Sequence, residues 1–296
     1  MKPPPFEYYR ATTVEHAIAL LSRYGPEAKV LAGGQSLLPM MKFRLARPSV
    51  LIDLRWIRDL AYTRQTDGTV ACGAMSRLAS LESDQVRALC SILAEAAQHI
   101  GHPAIRHQGT VCGSLAHADP AAELPVLALA LDAELVATGP NGTRVIPARD
   151  FFVTMLTTSL DASEVLTEAR FPVLHPASGW GFSELSRRSG DFALAIAAAT
   201  LQVGAKGTIT HARIALGAMA DRALRCPEAE AALVGERGGK TVFGAAAALA
   251  SEPLDPPSDV HASSGYRRHL AKILIERALT QAWQRLGATP SSPAPL

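Results

Sequence analysis

The chain has 296 residues, 29 lysines plus arginines against 27 aspartates plus glutamates, 48% hydrophobic residues and only 5% aromatic ones. That length holds one large domain or two or three small ones, each with its own core, and a formal net charge of +2 without a long basic block excludes a surface built to wrap a phosphate polymer. The longest apolar run, Phe192 to Leu201, is about half of the ~18 residues that a membrane helix requires, and Met1-Lys2-Pro3-Pro4-Pro5 is no charged-then-apolar leader, so the expected location is the cytoplasm.

Thr12-x-x-Glu15 reads as a capping box for an amphipathic helix that carries Val14, Ala17, Ile18 and Leu21 on one stripe and ends before Gly25. A short apolar run, Val30-Leu31-Ala32, is broken by Gly33-Gly34. A helical stretch from Leu37 to Leu45 and a strand from Val50 to Leu54 complete an α/β unit over residues 1–55. Further on, Val70 to Cys72 reads as extended and Gln85 to Ile100 as one helix. A glycine-bearing turn is expected at Gly109 to Ser114, an apolar helix at Glu123 to Leu131, and a hairpin around Pro140-Asn141-Gly142. A strand over 162–172 ends at Phe171-Pro172, and His175-Pro176-Ala177-Ser178-Gly179 marks a domain boundary. Beyond it the pattern predicts three strands (180–187, 194–204, 209–219), then helices at Glu228–Val234, Thr241–Ser251 and Ser264–Leu286. A disordered tail is expected over 288–296. No internal repeat is present.

Cysteines at 72, 90, 112 and 226 show neither C-x-x-C nor the clustering of an iron–sulfur or zinc site, so free buried thiols are expected and any metal cluster must belong to another chain. His99, His102, His107 and His117 do not make a metal site, because Gly101 and Pro103 interrupt them and no Glu or Cys completes a ligand set. No G-x-S-x-G surrounds any serine and no cysteine stands in a thiolate-activating motif, which leaves hydrolytic nucleophiles without support.

Three segments are suited to binding. In Leu31-Ala32-Gly33-Gly34-Gln35-Ser36-Leu37 a strand runs through a glycine pair into a helix start, where main-chain N–H groups and Ser36 can meet a phosphate, although a strand-to-helix turn explains the glycines equally well. The segment is neither G-x-G-x-x-G nor a P-loop. The second, Gly109 to Ser114 followed by Ala116 to Pro125, offers hydroxyls and amides for a diphosphate, with Asp119 and Glu123 as acceptors for sugar hydroxyls; Asp119-Pro120 as a helix cap is the plain alternative. The third, Glu184 to Ala193, carries Arg187 and Arg188 beside a Gly190-Asp191 turn and then Phe192, placed to cover a planar ring or to form a solvated strand end.

Taken together, these segments resemble the flavin-binding medium subunit of bacterial molybdenum hydroxylases, the group of quinoline oxidoreductase, carbon monoxide dehydrogenase, nicotine and caffeine dehydrogenases and the central domain of xanthine dehydrogenase. The family pattern A-G-G-x-S-L falls on Ala32, Gly33, Gly34, Gln35, Ser36 and Leu37. The pattern T-x-G-G-x-x-x-x-A-D-P-x-x-E-x-P falls on Thr110, Cys112, Gly113, Ser114, Ala118, Asp119, Pro120, Glu123 and Pro125. The resemblance implies that these two stretches hold FAD, with Glu123 at one of its hydroxyls, Leu166 near the adenine, and Phe192 and Ile100 on the two sides of the isoalloxazine. Three positions depart from the pattern: Cys112 replaces a glycine, Ser114 an Asn or Asp, and Gln35 a frequent His; a positive φ at 112 would strain a cysteine.

The implied fold is α+β. A two-lobed FAD-binding domain of vanillyl-alcohol-oxidase (PCMH) type spans residues 1–176, in lobes 1–55 and 56–176, and a C-terminal domain of three strands and helices spans 177–287. The implied function is an FAD-carrying electron-transfer subunit, with [2Fe-2S] clusters on a small partner and a molybdopterin cofactor on a large one that hydroxylates an N-heteroaromatic substrate, assembled as a dimer of heterotrimers. Other readings are a carbon monoxide dehydrogenase medium subunit, a self-contained flavin oxidase of the same fold, and a scaffold with a degenerate cofactor site.

Overall fold

The structure is a computed structural model, and it describes residues 2–286; the expected tail over 288–296 lies outside them. The N-terminal part begins with a three-stranded parallel sheet, in the order Glu7–Arg10, Val50–Asp53, Ala28–Leu31. The central strand is buried along its whole length. Its last residue, Asp53, lies inside the protein, where the Tyr8 hydroxyl donates to it at 2.5 Å and Arg55 at 2.6 Å, which pairs the charge that burial would otherwise penalise. The helix Val14–Tyr24 covers this sheet with Ala17, Ile18, Leu20 and Leu21. Thr13, not Thr12, is the capping residue. Its side chain accepts from the His16 amide at 3.1 Å, which puts Glu15 in the first turn and not at the third helical position of a capping box.

A five-stranded antiparallel sheet follows, in the order Thr63–Thr66, Thr69–Gly73, Val165–Pro172, Glu134–Gly139, Gly142–Pro147. The expected hairpin is its right edge, with Gly139 opposite Gly142. The expected single helix over Gln85 to Ile100 is two, Asp84–Leu89 and Ser91–Ala97, because Cys90 adopts φ −151° and ψ 77° between them. The helix expected from Leu37 to Leu45 ends at Lys42, with Arg44 at φ 59°.

The last part has a four-stranded antiparallel sheet, Ser178–Ser186, Ala193–Val203, Ile209–Gly217 and the short Leu224–Arg225, the last of which the sequence pattern did not predict. The helices Pro227–Leu233, Lys240–Ser251 and Ser264–Gln284 follow. The long helix lies so close on the first strand that a Cβ on Gly181 would overlap the Ala278 carbonyl, so glycine there is a packing requirement. One buried cluster joins both N-terminal sheets and continues to Phe182 and Ile196, and a second lies between the last sheet and its helices. No described helix is long and apolar enough to cross a membrane.

Candidate functional site

The two glycine-bearing segments meet. A Cβ on Gly33 would overlap the Gln108 carbonyl oxygen and come within 2.7 Å of the Gly109 Cα, and one on Gly113 would lie 3.7 Å from the Ala32 side chain. Residues about 75 positions apart are therefore in backbone contact, and glycine at 33 is explained by that approach. The geometry that first suggested a turn, a positive φ, belongs to Gly34 at 73°.

On the first segment, Ala32 to Leu37 are all half-buried. Among the described residues, the main-chain N–H groups of Gly33, Gly34, Gln35, Ser36 and Leu37 find no acceptor in the chain. Ser36 occupies the cap position of the helix Leu37–Lys42 without its hydroxyl capping it. A run of free amides with a free hydroxyl is a cradle for an anion, since half-buried donors without partners favour a ligand that supplies acceptors.

The second segment is built differently from the expected turn. Only Gly109 and Thr110 turn; Val111–His117 is a helix, because the Thr110 hydroxyl accepts from the Gly113 amide at 3.1 Å and starts it. Gly113 sits under that hydroxyl, where a Cβ would come within 2.5 Å of it. Cys112 is in the first turn of this helix without a positive φ, so the strain considered for it does not arise; it is buried, with its Sγ 3.6 Å from the Cys72 carbonyl oxygen. Burial pushes its thiol well above the usual range, and the same holds for Cys72, Cys90 and Cys226, at about 12. Ser114 is half-buried on the same helix, which packs on the strand that carries Leu166. Leu166 itself is buried, paired with Ala137 beside an irregularity in the register.

Ala118 ends the helix at φ 52°, and Asp119 then folds the chain by accepting from the Ala121 amide at 2.9 Å. It is an intra-loop acceptor and not the cap of the next helix, whose flanking residue is Ala122 and whose first residue is Glu123. Glu123 is 8% exposed, has no side-chain hydrogen-bond partner among the described residues, and is held up at about 7 by burial, opposed by its own amide and reinforced by Asp119. The Pro120 carbonyl between them accepts from Ala218 at 2.7 Å, which ties this loop to the C-terminal sheet.

The third segment packs on the turn at Gly101 and His102. Gly190, at φ 83°, packs on His102 and Gly101, next to Ile100. Ile100 is buried, and the buried Arg106 fixes its turn by donating to the Ile100 and Gly101 carbonyls at 3.3 and 3.0 Å while paired with Glu82 at 2.6 Å. Phe192 is 73% exposed, an aromatic ring held out beyond a turn. Arg187 faces Asp191 at 3.9 Å on the exposed end of the strand. The four histidines considered for a metal do not gather: among the described residues no three metal-ligating side chains converge.

Sequence reasoning gave no role to Glu184, to His99 beyond the rejected metal site, or to Gln108, whose carbonyl closes the gap to Gly33. Glu184 has a buried carboxyl oxygen without a partner. The signal for it is a carboxylate on the alternating pattern of a strand, legible only once the covering turn at His99 is known.

Free amides on a glycine-bearing turn, packed against a second glycine-bearing segment, are suited to the diphosphate of a dinucleotide. Residues 4–174 match the family described as the FAD binding domain in molybdopterin dehydrogenase, and residues 180–282 match the CO dehydrogenase flavoprotein C-terminal domain. The chain belongs to this family. It is similar to subunit alpha of the 6-hydroxypseudooxynicotine dehydrogenase complex of Paenarthrobacter nicotinovorans, at 42% identity over 99% of either chain. Among solved structures it is similar to the carbon monoxide dehydrogenase of Hydrogenophaga pseudoflava, at 42% identity and a TM-score of 0.94 over 97% of this chain and 100% of that one. It is also similar to quinoline 2-oxidoreductase of Pseudomonas putida 86, at 40% identity and a TM-score of 0.90 over 96% and 99%. The expected α+β architecture of a PCMH-type flavin domain followed by a C-terminal domain is the fold of this chain.

Proposed function

We propose that the chain is the FAD-carrying electron-transfer subunit of a molybdenum hydroxylase. The observation that supports this most directly is the contact between Gly33 and Gln108–Gly109, which sets the free amides of the first segment beside the small residues of the second. In this reading the amides of Gly33 to Leu37, with Ala32 beneath them and Ser36 and the Gln35 side chain at the edge, hold the diphosphate. Thr110, Gly113, Ser114, Ala118 and Asp119 form the opposite wall, and Glu123 accepts from a hydroxyl. Leu166 borders the adenine, and Ile100 and Phe192 flank the ring. FAD supplies the chemistry that this chain's side chains lack, the acceptance of electrons singly or in pairs; the protein's part is to bind it, orient it and exclude water. No cysteine cluster is present for iron–sulfur ligation among the described residues, in keeping with [2Fe-2S] clusters on a small partner and molybdopterin on a large one.

The substrate class we favour is N-heteroaromatic, supported by the names of relatives such as nicotine 6-hydroxylase and caffeine dehydrogenase, at 39% and 34% identity. A carbon monoxide dehydrogenase medium chain at 40% identity favours a second reading, with carbon monoxide as substrate. The complex is proposed to be a dimer of heterotrimers in the cytoplasm. Reconstituting the full chain with FAD and measuring bound flavin by absorbance tests the core of this reading, with one FAD per chain expected. A chain that stays colourless refutes it, and substrate-dependent bleaching of the isolated chain would instead indicate a self-contained oxidase.

A further inference from the structure

The turn that follows the helix Ser91–Ala97 is built on a glycine in the left-handed region. Gly101 has φ 52°, and a Cβ there would come within 3.2 Å of the Ile105 side chain. The turn that meets it from the C-terminal domain is built the same way. Gly190 has φ 83°, and a Cβ on it would lie 2.8 Å from the His102 ring and 3.0 Å from the Gly101 carbonyl carbon. Neither glycine has a side chain to lock its turn, and glycine itself has little preference among backbone conformations. Another group must hold the Ile100–Gly101 turn in the shape that the Gly190 turn fits.

That group is Arg106, which is 8% exposed. Its Nη1 donates to the Ile100 and Gly101 carbonyls at 3.3 and 3.0 Å, and its Nε donates to Glu82 Oε1 at 2.6 Å. The carboxylate offsets the charge that burial penalises and aims the planar fork at the two carbonyls. Glu82 ends the helical turn Leu78–Glu82, whose first amide, that of Leu78, donates to the Gly109 carbonyl at 3.0 Å. Arg106 itself is on the short helix Pro103–Gln108, which starts beside the Gly101 turn and ends at the contact of Gln108–Gly109 with Gly33. At the rise of an α-helix those two ends are about 9 Å apart, comparable with the reach of the ribityl chain between a flavin ring and its diphosphate. One helix and one ion pair thus fix both ends of that span.

We propose that Arg106 is a positioning residue for the flavin. Held by Glu82, it sets the Ile100–Gly101 turn relative to the diphosphate contact at Gly33, and so sets how Ile100, and Phe192 beyond Gly190, enclose the isoalloxazine. The proposal rests on the FAD reading of this site. Arg106 is committed to a carboxylate and two carbonyls, and it acts on the flavin through the turn and not by contact. Lysine is no substitute, because an ammonium is a point donor on a flexible stem where the guanidinium is a rigid fork.

The test uses the full chain with the subunits that purify with it, freed of FAD and titrated with FAD and, separately, with ADP, which has the adenine and the diphosphate but no flavin ring. R106K is expected to bind ADP within about two-fold of wild type and FAD about ten-fold more weakly. The visible bands of its bound flavin should lose their fine structure and its fluorescence should rise, since a loosened turn opens the ring to water. E82A, at a side chain that is 30% exposed, should change the bound flavin in the same direction by freeing the guanidinium. A merely structural arginine would lower the unfolding midpoint and leave the bands of bound FAD as in the wild type. Wild-type bands in R106K, or in E82A if R106K does not fold, overturn the proposal, and so does an ADP affinity that falls as much as the FAD affinity. If the wild-type protein takes up no FAD, the functional reading falls and the positioning role with it, whereas unchanged bands in FAD-loaded variants sink the positioning role alone.

Discussion

Replacing Gly33 by alanine tests whether the contact between the two segments is what makes the cleft. The added Cβ would lie 2.7 Å from the Gly109 Cα and 3.0 Å from its carbonyl carbon, both of them backbone atoms that cannot rotate away. Ordinary contact is about 3.5–4.0 Å, so the two segments must part by about 1 Å. Overpacking of this kind costs about 1–3 kcal/mol. If the cost falls on the bound state, FAD affinity drops about 5-fold to about 150-fold, at about 1.4 kcal/mol per factor of ten. Gly33 is not in the left-handed region, so the effect measures space and not backbone strain. Gly244 is the control, since a Cβ there meets nothing within 4 Å in the middle of a helix; G244A should leave affinity unchanged. Quenching of FAD fluorescence on titration into FAD-free protein reads both variants. A G33A protein that binds within about two-fold of wild type would refute the reasoning.

Thr110→Val removes the hydroxyl that caps Gly113 and should lower stability by about 0.5–2 kcal/mol in denaturant unfolding, with Thr110→Ser restoring it. Phe192→Ala should leave stability within about 0.5 kcal/mol, because the ring is largely exposed, yet change the flavin absorption envelope; an unchanged spectrum would remove Phe192 from the site. Glu123 and Glu184 both have pKa values raised above those of an unfolded chain, so the folded state binds more protons between about pH 4.5 and 8 and stability falls as pH rises through that range, then levels off. The unfolding midpoint of the FAD-free protein should follow this fall, and E184Q should flatten its upper part.

Much of the fold was legible because its long elements carry strong periodic patterns: the helix Val14–Tyr24, the three main strands after residue 177, and the hairpin at Pro140-Asn141. The misreadings have local causes. Thr12 and Thr13 are both able caps, and the choice between them depends on where the preceding strand releases the chain. The stripe from Val86 to Ala97 continues through Cys90 because packing is shared by two helices that are not collinear. Gly113 was read as part of a turn because glycine is a poor helix former; here it is inside a helix, since Thr110 leaves room for nothing larger. The two glycine-bearing segments are legible as an ordered set of small residues. Their contact could not come from the sequence, as it depends on how two sheets are set against each other. Glu184 was hidden for the same reason.

The contact between Gly33 and Gly109 also sets an order of events during synthesis. The amides that follow residue 32 leave the ribosome long before the helix that begins at Val111, and the carboxyl on strand Ser178–Ser186 emerges later still. A nascent chain halted before Gly109 presents only the first of the two segments. If these two segments hold the dinucleotide as proposed, only a chain synthesised past the helix Val111–His117 can present both of them to it.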